Sequence, residues 1–96
     1  MSRDRNITLE LDPEAQELLG IEEMNFKVTL IMYNDCVNGI QPSSKVAPMH
    51  NFLVRCSADD ETKAAVKKAY QEALTTDLFG LVMEEYKPKV DFAVKK

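Results

Sequence analysis

Three residues of this chain have side chains suited to chemistry. They are Cys36, His50 and Cys56, which are both of its cysteines and its only histidine. Thiolates and imidazoles are the usual ligands of zinc and iron–sulfur centres, so the three residues are a candidate metal site. None of them forms a closely spaced CxxC pair, so the fold would have to bring the ligands together. Cys36, with His50 as its base, is also a candidate nucleophile, although no family signature accompanies the pair.

Length and composition favour one small acidic domain. The 96 residues carry a formal net charge of −4, and 45% of them are hydrophobic. We therefore expect a single domain over residues 1–96, with residues 1–5 flexible. An acidic chain is poorly suited to bind nucleic acid or an anionic membrane, because both attract positive charge. No apolar run approaches the ~20 residues of a membrane span and no secretory signal is evident, so a cytoplasmic location with reduced thiols is expected.

The first half of the chain shows alternating strand patterns around one helix signal. Apolar residues alternate with polar ones over residues 6–11, which predicts a strand. Asp12-Pro13 is typical of a helix start and Gly20 of a helix end. A second alternation predicts a strand over residues 26–33. That strand would lead into a polar loop that contains Cys36.

The second half is predicted to hold one long helix between short strands. Prolines interrupt residues 41–48, which indicates a loop. Residues 51–56 read as a third strand, and the helix is expected to run from Ser57 to about Thr76. Residues 81–86 and 90–94 are the fourth and fifth candidate strands, on either side of a proline break.

These elements occur in the order β-α-β-β-α-β, with or without a final strand. The predicted fold is therefore α+β, with a single-layer mixed or antiparallel sheet of four or five strands and two helices. This order permits a ferredoxin-like arrangement with both helices on one face of the sheet. In such a fold both cysteines and the histidine lie at strand ends or in the loop between two strands.

The main functional hypothesis is a small soluble module that is not an enzyme and that binds another protein or a second copy of itself. No convincing catalytic constellation is present, and the last candidate strand places Val90, Phe92 and Val94 on one face. An edge strand with such a face can pair with a partner strand. This hypothesis predicts a protein partner or homo-oligomer, no nucleic acid, no membrane and no cofactor.

Two other hypotheses remain open from the residues. One is a thiol- or metal-linked protein that uses Cys36, and only this hypothesis requires iron–sulfur or zinc. The other is a small-molecule sensor with a pocket between sheet and helices, lined by Tyr33, Tyr70 and Tyr86.

The N-terminal part of the chain resembles the HesB/IscA-type iron–sulfur carriers. The resemblance covers about the first 40 residues: the run Ile7-Thr8-Leu9-Glu10-Leu11-Asp12-Pro13-Glu14-Ala15, the run Phe26-Lys27-Val28-Thr29-Leu30, and a loop with Cys36 and Gly39. It implies a strand, a short helix and a second strand that leads to a cysteine-bearing loop. The C-terminal cysteines of that family are missing here, so the resemblance implies a degenerate carrier in which only Cys36 keeps its place.

Overall fold

The computed structural model describes residues 3–95, which form two strands and five helices. Along the chain the elements are β1 (Arg5–Glu10), α1 (Pro13–Leu19), β2 (Glu23–Val28), α2 (Leu30–Gly39), α3 (Val46–Cys56), α4 (Asp60–Gln71) and α5 (Thr75–Tyr86). Of the five N-terminal residues expected to be flexible, 1 and 2 lie outside the described residues, and Arg5 is the first residue of β1.

The predicted sheet of four or five strands with two helices is wrong. Within residues 3–95 the sheet has only two strands, and the element order is β-α-β-α-α-α-α. Four of the five predicted strands are partly or wholly helical or irregular. Short apolar runs satisfy a strand pattern and a buried helix pattern equally well, so tertiary packing decides between them.

The two strands form an antiparallel hairpin-like pair around α1. The register runs from Arg5 opposite Val28 to Glu10 opposite Glu23. The apolar face of this pair packs against the helices and carries four buried side chains, which are Ile7, Met24, Phe26 and Val28. The opposite face is mostly polar, as expected for a sheet that is covered on one side only.

The second edge of β2 is closed by the connection between α3 and α4. The Ala58 amide donates to the Asn25 carbonyl at 2.8 Å, and the Asn25 amide donates to Thr62 Oγ1 at 2.9 Å. Thr62 is fully buried, so its hydroxyl serves as the acceptor that water would otherwise provide. The N-terminus of α4 is thereby fixed against the sheet.

Helix α1 begins and ends as its sequence predicts. Asp12 accepts a hydrogen bond from the Ala15 amide at 2.9 Å, and Pro13 occupies the first turn. Gly20 ends the helix in the left-handed conformation with φ 71°, which glycine adopts without steric cost.

The predicted strand over residues 26–33 is a strand only as far as Val28. Thr29 then caps α2, and its hydroxyl accepts from the Met32 amide at 3.2 Å. The alternation of apolar residues continues past Thr29 in the sequence, which conceals the cap. Cys36 consequently lies in the middle of a helix rather than in a loop.

The predicted strands over residues 51–56 and 81–86 are both helical. In α3 the buried residues Phe52, Leu53 and Cys56 follow a helical spacing. In α5 the buried residues Leu78, Val82 and Tyr86 recur every fourth position, which places them on one helix face. Pro48 lies in the first turn of α3, where a missing amide hydrogen costs nothing, so the proline does not exclude a helix there.

The long helix predicted from Ser57 to Thr76 is two helices. Asp59, rather than Ser57, is the N-cap of α4, and it accepts from the Thr62 amide at 2.7 Å. α4 ends in a paired C-terminal hydrogen-bond motif: the Leu74 amide donates to the Ala69 carbonyl at 2.8 Å and the Ala73 amide to the Tyr70 carbonyl at 3.3 Å. The helix breaks without a glycine or proline to signal it.

Ala73 holds a backbone conformation that normally belongs to glycine. Its φ is 61°, in the left-handed region. Because a Cβ atom disfavours that region by about 1–2 kcal/mol, we expect Ala73→Gly to raise the free energy of unfolding by about 1 kcal/mol. Urea denaturation measures this change. Ala64→Gly, at an exposed position within α4, is the matched control and should destabilise by a similar amount. An Ala73→Gly protein that is less stable than the parent would contradict the left-handed backbone conformation of Ala73.

One apolar core lies between the sheet and the last three helices. The largest fully buried side chains include Phe26 and Met24 from β2, Leu53 from α3, Val66 from α4 and Val82 from α5. α2 packs against α3, and α1 packs against α4. This core sets the positions of the surfaces described next.

Candidate interaction surface

The residues predicted to be metal ligands lie on helices, and both thiols are buried. Cys36 in α2 is 6% exposed and Cys56 at the end of α3 is 1% exposed. The Cys36 thiol lies 3.6 Å from the Pro48 carbonyl oxygen, and the Cys56 thiol lies 3.8 Å from the Leu53 carbonyl oxygen. Each thiol is therefore directed at a backbone acceptor.

Burial keeps both thiols protonated. It raises the pKa of the Cys56 thiol to about 12, and it also raises the pKa of the Cys36 thiol above its ordinary value. Only the thiolate is a good nucleophile or metal ligand, so both reactions are disfavoured at neutral pH. Metal binding at either cysteine would first have to remove this proton.

His50 packs against an aromatic ring. Its imidazole and the ring of Tyr70 have centroids 4.7 Å apart, and His50 Nδ1 is buried without a hydrogen-bond partner among residues 3–95. Within those residues no group of three or more His, Cys, Asp or Glu side chains is arranged to hold a metal ion. The assignment of Cys36, His50 and Cys56 as ligands stays a prediction.

Elemental analysis checks the expectation that the protein has no metal cofactor. We expect protein purified without oxygen to contain far less than one zinc or iron per chain, because both thiols are protonated and buried. We expect Cys36→Ser to leave the metal content unchanged. A stoichiometric metal that disappears in Cys36→Ser would contradict this expectation and support the thiol-dependent alternative.

The three tyrosines lie in two different pairs. Tyr33 in α2 packs on Tyr86 at the end of α5, with ring centroids 5.6 Å apart, whereas Tyr70 lies on His50. The Arg3 guanidinium lies over the Tyr86 ring and donates to the Tyr86 carbonyl. These contacts join the N-terminal segment, α2 and the end of α5.

The segment after α5 is an exposed apolar extension. Residues 87–95 form neither helix nor strand, so the predicted edge strand at residues 90–94 is wrong as secondary structure. Its three apolar side chains are nevertheless open to solvent: Val90 is 60% exposed, Phe92 95% and Val94 84%. A phenylalanine with almost its whole surface in water is an unusual feature in a small domain.

A second apolar surface lies on α2, next to the start of this extension. Leu30, Ile31 and Val37 are 45%, 67% and 45% exposed; Leu30 and Val37 lie on one side of the helix, and Ile31 lies beside Leu30. We call these three residues the α2 face. Leu30 and Val37 lie one turn on either side of Tyr33, which contacts Tyr86 just before the C-terminal segment.

The sequence predicted an interaction role for the C-terminal residues but not for those of α2, and that role stays a prediction. Val90, Phe92 and Val94 are marked by their alternation, and that signal does not depend on a sheet being present. Leu30 and Val37 were placed in a strand and a loop. The spacing of Leu30, Tyr33 and Val37 is the helical signal that would have found them.

Comparisons with known proteins give one family. No curated protein and no solved structure matches the chain. None of the helices within residues 3–95 is long and apolar enough to cross a membrane. A family model described as phage tail assembly chaperone matches residues 18–96, which is most of the chain. The resemblance to the HesB/IscA-type iron–sulfur carriers was therefore wrong, because it depended on a strand that is half helical and on a cysteine that is buried. The chain belongs to the phage tail assembly chaperone family.

Proposed function

We propose that this protein is a non-catalytic chaperone that binds an apolar segment of a phage tail protein and keeps that protein soluble until it is assembled. The family indicates a protein partner from the phage tail. The observation that supports the proposal most strongly is the exposure of Val90, Phe92 and Val94 in the C-terminal segment. Exposed apolar side chains in a row are typical of a protein contact site.

The C-terminal segment has the pattern of a chain that binds in an extended conformation. In an extended conformation Val90, Phe92 and Val94 point to one side, and Asp91 and Ala93 point to the other. Such a segment binds by inserting its apolar side into a groove or by adding to the edge of a sheet. Phe92 is the anchor that we expect to contribute most, because large aromatic side chains dominate contact energies.

The α2 face enlarges the same surface. Its exposed residues Leu30, Ile31 and Val37 are on the helix whose Tyr33 contacts Tyr86, immediately before the segment begins. A tail-protein segment bound by residues 90–94 can therefore extend onto α2. The exposed side chains that form both parts of the surface are apolar, so the bound segment is expected to be apolar.

Co-expression with the tail proteins of its phage tests the proposal. The variant Val90→Ser/Phe92→Ser/Val94→Ser removes the apolar side of the segment. We expect it to recover far less soluble tail protein and to weaken binding about thirtyfold or more, as the loss of a central aromatic contact usually does. The matched control, Asp91→Ser/Ala93→Ser/Lys95→Ser, changes the same number of residues on the other side.

The control variant should retain the soluble complex. Equal recovery of tail protein with both variants would contradict the proposal that the apolar side of the segment binds the tail protein. Neither triple variant is expected to unfold the domain, because all six side chains are exposed. Thermal denaturation of each variant alone verifies this.

The remaining parts of the proposal concern where the protein acts and what it does not bind. We propose that it acts in the cytoplasm, since the tail protein has to be kept soluble before assembly. Its net charge of −4 disfavours nucleic acid and anionic membranes as partners. The buried, protonated cysteines disfavour a thiol-dependent reaction.

A further inference from the structure

An apolar groove lies on the side of the molecule formed by β1, α1 and the first half of α5. It has a volume of about 220 Å³. Its apolar lining comes from the end of β1, from α1 and β2, and from the helices α4 and α5, and consists of Leu9, Leu11, Ala15, Leu19, Met24, Ala69, Leu74, Leu78 and Leu81. Leu81 is 53% exposed, so the groove has an apolar side that no described residue covers.

The rim of this groove is acidic. Glu10, Asp12 and Asp77 line it, and no lysine or arginine does. All three are exposed. An apolar groove with three carboxylates at its edge is suited to a segment that is apolar along one side and carries positive charge beside it.

We infer that the groove binds the C-terminal segment of a second copy of this protein. Residues 87–95 have this combination of properties, because Val90, Phe92 and Val94 alternate along one side and lysines at 87, 89 and 95 flank them. One acidic residue, Asp91, lies in the segment, so its charge is net positive whereas the rim is negative. The occupant is thus identified by both hydrophobicity and charge.

The segment does not occupy the groove of its own chain. Its three apolar side chains are 60–95% exposed, so they contact little of the domain from which they extend. Lys87 leaves α5 in an extended conformation, φ −80° and ψ 139°, which the following Pro88 favours over a helical one. The molecule is elongated, with a longest dimension of 51 Å against 29 and 25 Å for the others.

Exchange between two copies can be reciprocal. Each copy offers one segment and one groove, so a two-fold dimer uses both pairs and buries the same contact twice. Phe92 alone contributes about 150–250 Å² of buried surface. Doubling the contact brings the total closer to the size of a specific interface than a single segment would.

Self-association would cover the surface that we propose for the tail protein. If the proposed function holds, a tail protein and a second copy compete for Val90, Phe92 and Val94. The exchange of segments itself does not depend on the proposed function. Its test uses this protein alone, so either claim can fail while the other stands.

Sedimentation velocity of the full chain over a range of concentrations measures the exchange. We expect a monomer–dimer equilibrium. Phe92→Ser and Leu81→Lys should each raise the dimer dissociation constant about thirtyfold or more. Leu18→Lys is the matched control, because Leu18 is similarly exposed, at 48%, but does not line the groove. The control should dimerise like the parent, and added salt should weaken the parent dimer.

Mixing the two weakened variants separates exchange from other modes of dimerisation. Phe92→Ser keeps an intact groove and Leu81→Lys keeps an intact segment. Their heterodimer therefore has one segment–groove pair that is fully intact, whereas neither homodimer has any. An equimolar mixture should form this heterodimer more readily than either variant forms a homodimer. A protein that stays monomeric at every concentration, or a dimer unaffected by Leu81→Lys, would overturn the inference. So would a mixture that associates no better than its components.

Discussion

Phe26→Ala is expected to lower the free energy of unfolding by roughly 3–5 kcal/mol. Phe26 lies in β2 with 1% of its surface exposed, and it is the largest of the fully buried side chains. The substitution removes a whole ring from between the sheet and the helices and leaves a cavity that the surrounding helices fill only in part. Domains of this size have a total stability of about 5–15 kcal/mol, so much of the protein should be unfolded at moderate temperature.

Phe92→Ala is the matched control for this experiment. It is the same chemical change at a position where 95% of the side chain is exposed, so it should alter stability by no more than about 0.5 kcal/mol. Urea denaturation of both variants measures the difference. A Phe92→Ala protein that loses as much stability as Phe26→Ala would show that the C-terminal segment is packed against the domain, contrary to the structure.

Thr62→Val is expected to cost about 1–3 kcal/mol despite preserving the shape of the side chain. The Thr62 hydroxyl accepts the Asn25 amide at 2.9 Å and is fully buried. Valine cannot accept this bond, so the amide at the edge of β2 would be left without a partner. Replacement of a buried acceptor by an apolar group costs the desolvation of the donor that remains.

Thr62→Ser separates the hydroxyl from the methyl group. Serine keeps the acceptor and removes one methyl, so we expect it to destabilise less than valine does. Amide hydrogen exchange provides a local readout, because the Asn25 amide should exchange faster in Thr62→Val but remain protected in Thr62→Ser. Equal protection in both variants would show that the hydroxyl is not the acceptor that fixes α4 to the sheet.

The N-terminal part of the fold was predictable because its signals are chemically specific. Asp12 and Pro13 are typical of the N-cap and first turn of a helix, and Gly20 is typical of the left-handed residue that ends one. The alternation in β1 contains polar residues that cannot be buried. These features predict a strand followed by a short helix, and the structure has β1 and α1 at these positions.

Three helices after β2, namely α2, α3 and α5, were missed and α4 was predicted too long, because their signals suit two structures. Thr29 is β-branched and continues the strand pattern, yet its hydroxyl caps α2. Pro48 indicates a loop, although the first turn of a helix tolerates it. Ala73 ends α4 in a conformation that its own side chain disfavours, so no local rule marks the break. In each case long-range packing chose the structure.

For the candidate interaction surface, too, the sequence predicted one part and missed another. The alternation of Val90, Phe92 and Val94 predicted an interaction edge on a strand; the strand is absent, and the role of these residues in interaction stays a prediction. The groove could not be predicted, because its lining comes from β1, α1, β2, α4 and α5, and only the tertiary structure brings these together. The grouping of Cys36, Cys56 and His50 depended on a loop that is in fact two helices.

The central claim is that the C-terminal segment binds the tail protein, and amide hydrogen exchange of residues 87–95 tests it most directly. The measurement is made in the Leu81→Lys variant, so that self-association does not contribute. We predict rapid exchange of these amides in the free protein and marked slowing around Phe92 when the tail protein is added. A stable complex in which these amides still exchange rapidly would contradict the claim.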